Sequence, residues 1–422
     1  MRSSAALATP TQRLRVRTRA VDDPGDLLGR LPEPSGLVWL RGNDAMVGWG
    51  EAARIDVGSG HKRFDRASAA LGSLADHASF QDDAEAPGRG LVAFGSFTFD
   101  PRVGGSVVVV PRVLLARRSG RAWVAVVDPP TGRVEPFAGV VPGPVAALPA
   151  IGRIRYAGAS MPEVRWLEAV AAAVSAIERG ELAKVVLARD LVVWAEQPID
   201  PRSVARRLSE HFPDCFTFCV DGLVGASPEL LVRRAGSRVT SLVLAGSAAR
   251  GAGPEADATL GRTLLASGKD LREHQFAVTS VVDRLARLCD TLEVAPAPTL
   301  LRLENVQHLA TAVEGTLRGP QSALDVAGAL HPTAAVCGTP TDAARAHIRA
   351  TEGLDRGRYG GPVGWVDAHG DGEWAIALRC AQLDGARARL FAGAGIVAGS
   401  LPEAELEETR LKLRAMQSAL ES

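Results

Sequence analysis

The stretch Phe391–Lys412, FAGAGIVAGSLPEAELEETRLK, decides how this chain is built. Apolar Leu390 and Phe391 end a strand that runs into Gly393-Ala394-Gly395. Ser400-Leu401-Pro402 then reads as a helix start, with a capping serine and a proline in the first turn. Gly393 to Ala398, GAGIVA, is close to a dinucleotide-binding fingerprint. Too few residues follow it for the strand–helix–strand unit that such a fingerprint serves. Just before it, Gly361–Ala368, Trp374–Leu383 and Ala388–Ala392 read as a three-stranded meander. Strands thus come in antiparallel runs with helices between the runs. That predicts an α+β fold with large antiparallel sheets and excludes a doubly wound parallel sheet.

The same alternation runs upstream. Residues 36–40 and 46–49 read as strands around a turn at Gly42-Asn43-Asp44, and residues 62–78 have helical spacing. Gly90–Phe97 is a strand, and Ser106–Ala116 with Ala122–Val127 forms a hairpin. Pro129–Pro149, rich in proline and glycine, reads as a loop that one domain can span. Glu163–Arg179 is an amphipathic helix ended by Gly180, followed by the apolar strand Lys184–Trp194. Ser203–His211 is a helix, and Cys215–Val220, Gly222–Ala226, Glu229–Arg233 and Val239–Leu244 are strands. Ser267 caps a long helix reaching about Cys289, and Ala323–Leu330 and Thr341–Ala350 are helices. The expected organisation is an N-terminal segment, 1–35, partly disordered, and a single domain over 36–422.

Lys+Arg and Asp+Glu both number 48, so no net field favours nucleic acid or an anionic membrane. Cys215, Cys219, Cys289, Cys337 and Cys380 are odd in number and lack metal-type pairing, as in a reduced, cytoplasmic protein. The arginine-rich N-terminus has no apolar core of a secretory signal, and no run of eighteen apolar residues would span a membrane.

Two acidic clusters and three single residues remain. Glu405, Glu408 and Lys412 fall on one face of the tail helix. Asp270 and Glu273, again three apart, sit near another helix start. Two such acidic pairs could converge on one ion, and sparse carboxylates without a His or Cys cage suit Mg²⁺ rather than Zn²⁺. The alternative is two solvated helix faces. Lys184 opens an apolar strand; it either snorkels outward or is buried as a candidate base. Glu229 lies in the apolar run SPELL, where burial would favour the protonated acid. Arg379 offers a fixed fork for a carboxylate, or a cross-strand salt bridge.

A series of segments, in order, resembles one family. These are AFGSFTFDP, LAKVVLARD, GASPELLVR, LAGSAARG, LLASGKDLREH, QHLATAVEG, LHPTAAVCGTP, DRGRYGGPVGW, EWAIALRCAQL and FAGAGIV…EETRLK. Together they look like the chorismate-utilising enzymes, and most like the isochorismate synthases. The resemblance covers about residues 90–420 and is densest from 160. It implies two large antiparallel β-sheets packed together, with helices outside and the site in a cleft.

By that resemblance, Lys184 matches the family's general base and Glu229 its general acid. Glu273 and Glu408 match the Mg²⁺ ligands, and Asp270 and Glu405 the acids one turn earlier. Tyr359, Arg379 and Lys412 match groups that hold the carboxylates of chorismate. Gly246 and Gly393 supply backbone contacts, Ser247 follows in the same segment, and His331 of HPT lies near the substrate. The implied reaction is chorismate to isochorismate, by water attack at C2 with loss of the C4 hydroxyl. Salicylate synthesis, with later loss of pyruvate, is the alternative enzyme, and a non-catalytic chorismate-binding protein the alternative class. Anthranilate synthesis is disfavoured by Lys184, where those relatives resemble Gln. Aminodeoxychorismate synthesis by a covalent route is disfavoured by Ala245, where such relatives have Lys. A monomer without a glutaminase subunit is expected.

Overall fold

The computed structural model describes residues 13–82, 88–128, 137, 140–143 and 147–421. The disorder expected at the start of the chain and much of the 129–149 loop lie outside the described residues. Among these, twenty-one strands join into one hydrogen-bonded network and eight α-helices lie between the runs. The protein is α+β. The pairings are antiparallel except for Arg15–Val21 beside Ser79–Asp82.

Alternation along the strands builds three apolar cores. In Lys184–Ala195, Val185 and Leu187 face the helix Glu163–Glu178 through Trp166, Val170 and Ala173. Ala188 faces the opposite way, into a core with Trp39, Phe94, Phe216, Trp365 and Phe391. That core lies between the inner sheet faces, and a third, with Leu208, Leu413 and Met416, lies under other helices. Period two therefore puts Lys184 and Val186 on the inner face. The partner strand Arg387–Ile396 pairs Gly393 with Ala188 and Gly395 with Val186, which brings both glycines to the same face.

Most helices fall where periodicity places them, including Glu163–Glu178, Ala323–Leu330 and Thr341–Thr351. Several features differ. Arg15–Val21 pairs along Arg121–Asp128 with a buried Arg17–Asp128 ion pair at 2.7 Å, so the sheet begins upstream of residue 36. The helix expected to reach Cys289 is Gly268–Leu285, and Cys289 opens a strand that pairs with Val306–Leu317. The tail helix spans Pro402–Glu421, and the Ser400 hydroxyl accepts the Val397 N–H from before the helix rather than capping it. The strand Val306–Leu317 itself went unread in the sequence; its polar Gln307 and His308 and small residues break the apolar signature.

Candidate active site

The inner faces open on a cleft with about 630 Å³ of empty space, part of it continuous with solvent. Glu229, Gly246, Ser247, Glu273, Tyr359, Arg379, Gly393 and Lys412 line it, so most of the residues singled out in the sequence meet there. Val186, Leu244, Val336, Leu378 and Phe391 give it apolar walls.

Lys184 sits beneath this surface with its side chain fully buried. Its Nζ lies 3.2 Å from Glu273 Oε1, and no group meets it in hydrogen-bond geometry. The glycine opposite is required: a Cβ on Gly395 would stand 2.0 Å from Glu273 Oε1 and 3.2 Å from Lys184 Cε. Glu229 follows the strand Leu223–Ser227 and is 4% exposed. Burial pushes its carboxyl up to about 8, against smaller downward pulls from the Leu244 backbone N–H and from Lys184 and Lys412. It is therefore a protonated acid at neutral pH.

Three of the four acids, Glu273, Glu405 and Glu408, are each engaged by a lysine. Glu408 Oε1 accepts from the Ser247 hydroxyl at 2.9 Å and lies 2.5 Å from Lys412 Nζ. Burial works against ionisation there, but the Lys412 ammonium outweighs it and holds Glu408 below the usual carboxylate range. Lys412 also donates to the Gly393 carbonyl at 3.0 Å. Glu405 is 1% exposed and 2.5 Å from Lys269 Nζ; burial, then neighbouring Glu408, push it upward. Asp270 stays at the first turn of its helix, its N–H donating to Ser267 Oγ at 3.2 Å. A Cβ on Gly246 would meet Asp270 Cβ at 3.2 Å. Gly246 has φ +75° at a register shift between Ala245 and Ser247, a bulge that turns Ser247 toward Glu408.

Arg379 lies in the break between Gly372–Ile376 and Cys380–Asp384, with φ +47°. That backbone conformation is costly for a side chain and is found where the surroundings over-determine it. Arg379 Nη2 donates to His308 Nε2 at 3.2 Å, and a guanidinium has no acceptor, so Nε2 bears the lone pair. Burial, then Arg379 and Lys412, push His308 down to about 3, so it is neutral. His308 lines the cavity but received no role from the sequence, where it is one of eight scattered histidines. Tyr359 stacks on Phe391 with centroids 5.2 Å apart. Its hydroxyl lies 2.9 Å from where a Cβ on Gly393 would stand.

His331 is not brought to the cavity wall. Its ring sits 6.0 Å from both Phe64 and Phe99, with Nε2 3.0 Å from the Phe99 carbonyl, and burial pushes it down to about 3. The helix ending at Leu330 turns the ring into that aromatic corner, and the same segment reaches the cavity through Ala335 and Val336 instead. His274, adjacent to Glu273, bridges the Ala245 carbonyl at 3.1 Å and Thr311 Oγ1 at 2.7 Å. It fixes the helix that carries Glu273 against the sheet.

Among the described residues, no three His, Cys, Asp or Glu side chains form a ready-made metal cage. The available donors are carboxylate oxygens alone, and Mg²⁺ takes one or two of these and keeps waters. Glu273 and Glu408, each held by a lysine, carry the kind of donor atom such an ion would take.

The family model described as chorismate binding enzyme matches residues 149–421. The isochorismate synthase DhbC of Bacillus subtilis is 45% identical over 256 residues, 58% of this chain and 64% of that relative, just under two-thirds of its length. A protein of Mycobacterium tuberculosis named a putative isochorismate synthase, MenF, is 40% identical over 349 residues, 79% of this chain and 87% of the relative. The solved structure of MenF, the menaquinone-specific isochorismate synthase of Escherichia coli, superposes with a TM-score of 0.80 at 28% identity. It covers 97% of this chain and 95% of that one. With a cavity of matching chemistry and these relatives, the chain belongs to the chorismate-binding enzyme family.

Proposed function

We propose that this protein is a Mg²⁺-dependent isochorismate synthase converting chorismate to isochorismate. The observation that carries the reading is the pairing of a buried amine, Lys184, with a carboxyl, Glu229, that burial keeps protonated. Lys184 takes a proton from water as the oxygen bonds to C2. The ring double bonds each move one place, the C4–O bond breaks, and Glu229 gives its proton to the departing hydroxide. The proton gained by Lys184 and that lost by Glu229 balance over the turnover.

Arg379 and Tyr359 hold one carboxylate of the substrate, and Lys412 faces the other. His308 keeps the Arg379 fork aimed. Gly393 and Gly246 let the ring approach the backbone. Glu273 and Glu408 would hold Mg²⁺, with Asp270 and Glu405 acting one turn away. When bound, the ion neutralises substrate carboxylate charge and fixes its orientation. A Glu273 carboxylate that held the ion would no longer engage Lys184. The protein acts as a monomer, without a glutaminase subunit, in the cytoplasm; among the described residues no helix is long and apolar enough to cross a membrane.

The test is the product formed from chorismate and Mg²⁺, identified by chromatography and NMR. Isochorismate without pyruvate is expected. Salicylate with pyruvate would replace this reading by salicylate synthesis, and binding without turnover by a non-catalytic role.

A further inference from the structure

Lys269 occupies an unusual place. It lies in the first turn of the helix Gly268–Leu285, where the helix dipole repels a cation. Yet its Nζ is 2.5 Å from the buried Glu405, and although burial opposes its charge, Glu405 and then Glu408 and Glu273 outweigh that and favour its ammonium. Those three carboxylates come from the two helices that would supply the metal site. Burial, and then the charge of Glu408 one turn away, work against an ionised Glu405, and the Lys269 ammonium opposes both. Lys269 remains a third exposed, at the rim, so its flexible stem can swing into solvent. Lys412 already answers Glu408 and Lys184 answers Glu273, and each of these lysines lies deeper, with 17% and 0% side-chain exposure.

We infer that Lys269 is a built-in counter-cation: its ammonium holds the acidic cluster together in the metal-free protein and must leave Glu405 when Mg²⁺ binds. Lys269 is then a positioning residue that sets how tightly the site takes Mg²⁺. This rests on the Mg²⁺ reading above. One consequence is that the ordinary cost of metal loss, a collapse of like-charged helices, is avoided. The other is that metal affinity is held down by an internal competitor.

The experiment titrates Mg²⁺ as the chloride into substrate-free wild type and Lys269→Met, by calorimetry and by thermal unfolding. Lys269→Met should melt lower in chelator, because Glu405 loses its partner. It should bind Mg²⁺ about fivefold more tightly or better, the worth of one partly exposed ion pair, and gain more from Mg²⁺ in melting temperature than wild type does. Lys269→Arg, which keeps a cation, should behave like wild type and guards against misfolding of the first variant. Amine labelling of wild type, read by peptide mass spectrometry, should modify Lys269 several-fold faster once Mg²⁺ is present. Equal or weaker Mg²⁺ affinity in Lys269→Met, or labelling unchanged by Mg²⁺, would overturn the inference while leaving the metal reading intact. Absence of Mg²⁺ binding to every protein, together with full turnover in chelator, would instead overturn the metal reading, and this inference with it.

Discussion

Glu229→Gln should make the protein more stable in alkali and nearly inactive. The folded carboxyl titrates at about 8 against an ordinary 4.5, and burial is the main cause. Below 4.5 the group is protonated in both folded and unfolded chains and costs nothing. Between 4.5 and 8 the unfolded chain sheds the proton that the fold retains, so stability falls as pH rises; beyond 8 the loss is complete. At about 1.4 kcal/mol per pH unit the whole loss is about 5 kcal/mol. Glutamine has the same shape, can still accept the Leu244 N–H, and has no proton to lose. With an unfolding entropy of about 2.1 cal/mol/K per residue, 5 kcal/mol is about 5 °C for a chain of 422 residues. Calorimetric melting of the substrate-free proteins in chelator should show the variant within about 1 °C of wild type at pH 4.5 and about 5 °C above it at pH 9. Turnover at neutral pH should fall by about 10²–10⁴-fold, and the gap should narrow above pH 8, where wild type also loses the acid's proton. Parallel melting curves across that pH range would show that Glu229 ionises freely in the fold, and the argument for its role as the acid would fail.

Lys184→Ala should lower turnover by about 10²–10⁴-fold while chorismate still binds, and Lys184→Arg should fail too because a guanidinium stays protonated. Near-normal turnover in Lys184→Ala, measured by product chromatography, would make Lys184 structural. Glu273→Gln and Glu408→Gln should each weaken Mg²⁺ activation with the fold preserved, read as the Mg²⁺ dependence of rate beside circular dichroism. Full activity of both variants in chelator would refute the ligand assignment. Gly395→Ala puts a Cβ 2.0 Å from Glu273 Oε1, so the carboxylate must move. Its half-saturating Mg²⁺ should rise about tenfold, about 1.4 kcal/mol of lost ligand geometry. An unchanged Mg²⁺ dependence would show that Glu273 is not held at that spot.

By itself the sequence determined the strand-and-helix grammar, because periodicity is local. Lys184 shares a face with Val186 and Ala188 by period two, and Glu405, Glu408 and Lys412 share one by helical spacing. The antiparallel architecture followed from strands that come in runs with helices between them, although the expected central strand of the last meander breaks at Arg379 into Gly372–Ile376 and Cys380–Asp384, which pair with different neighbours. The motifs between LAKVVLARD and EETRLK carried the family and most of the cavity residues. What only the tertiary structure decided depends on groups far apart in the chain. Lys269 meets Glu405 across 136 positions, and Arg379 finds His308 across 71. The state of Glu229 was open until its burial was known, since desolvation is a property of everything packed around a residue. His331 looked like a site residue in its motif, yet Phe64 and Phe99 take its ring. Arg15–Val21 reads as a basic, unremarkable stretch, but Asp128 neutralises Arg17 inside the sheet, and no local pattern records a partner that far away.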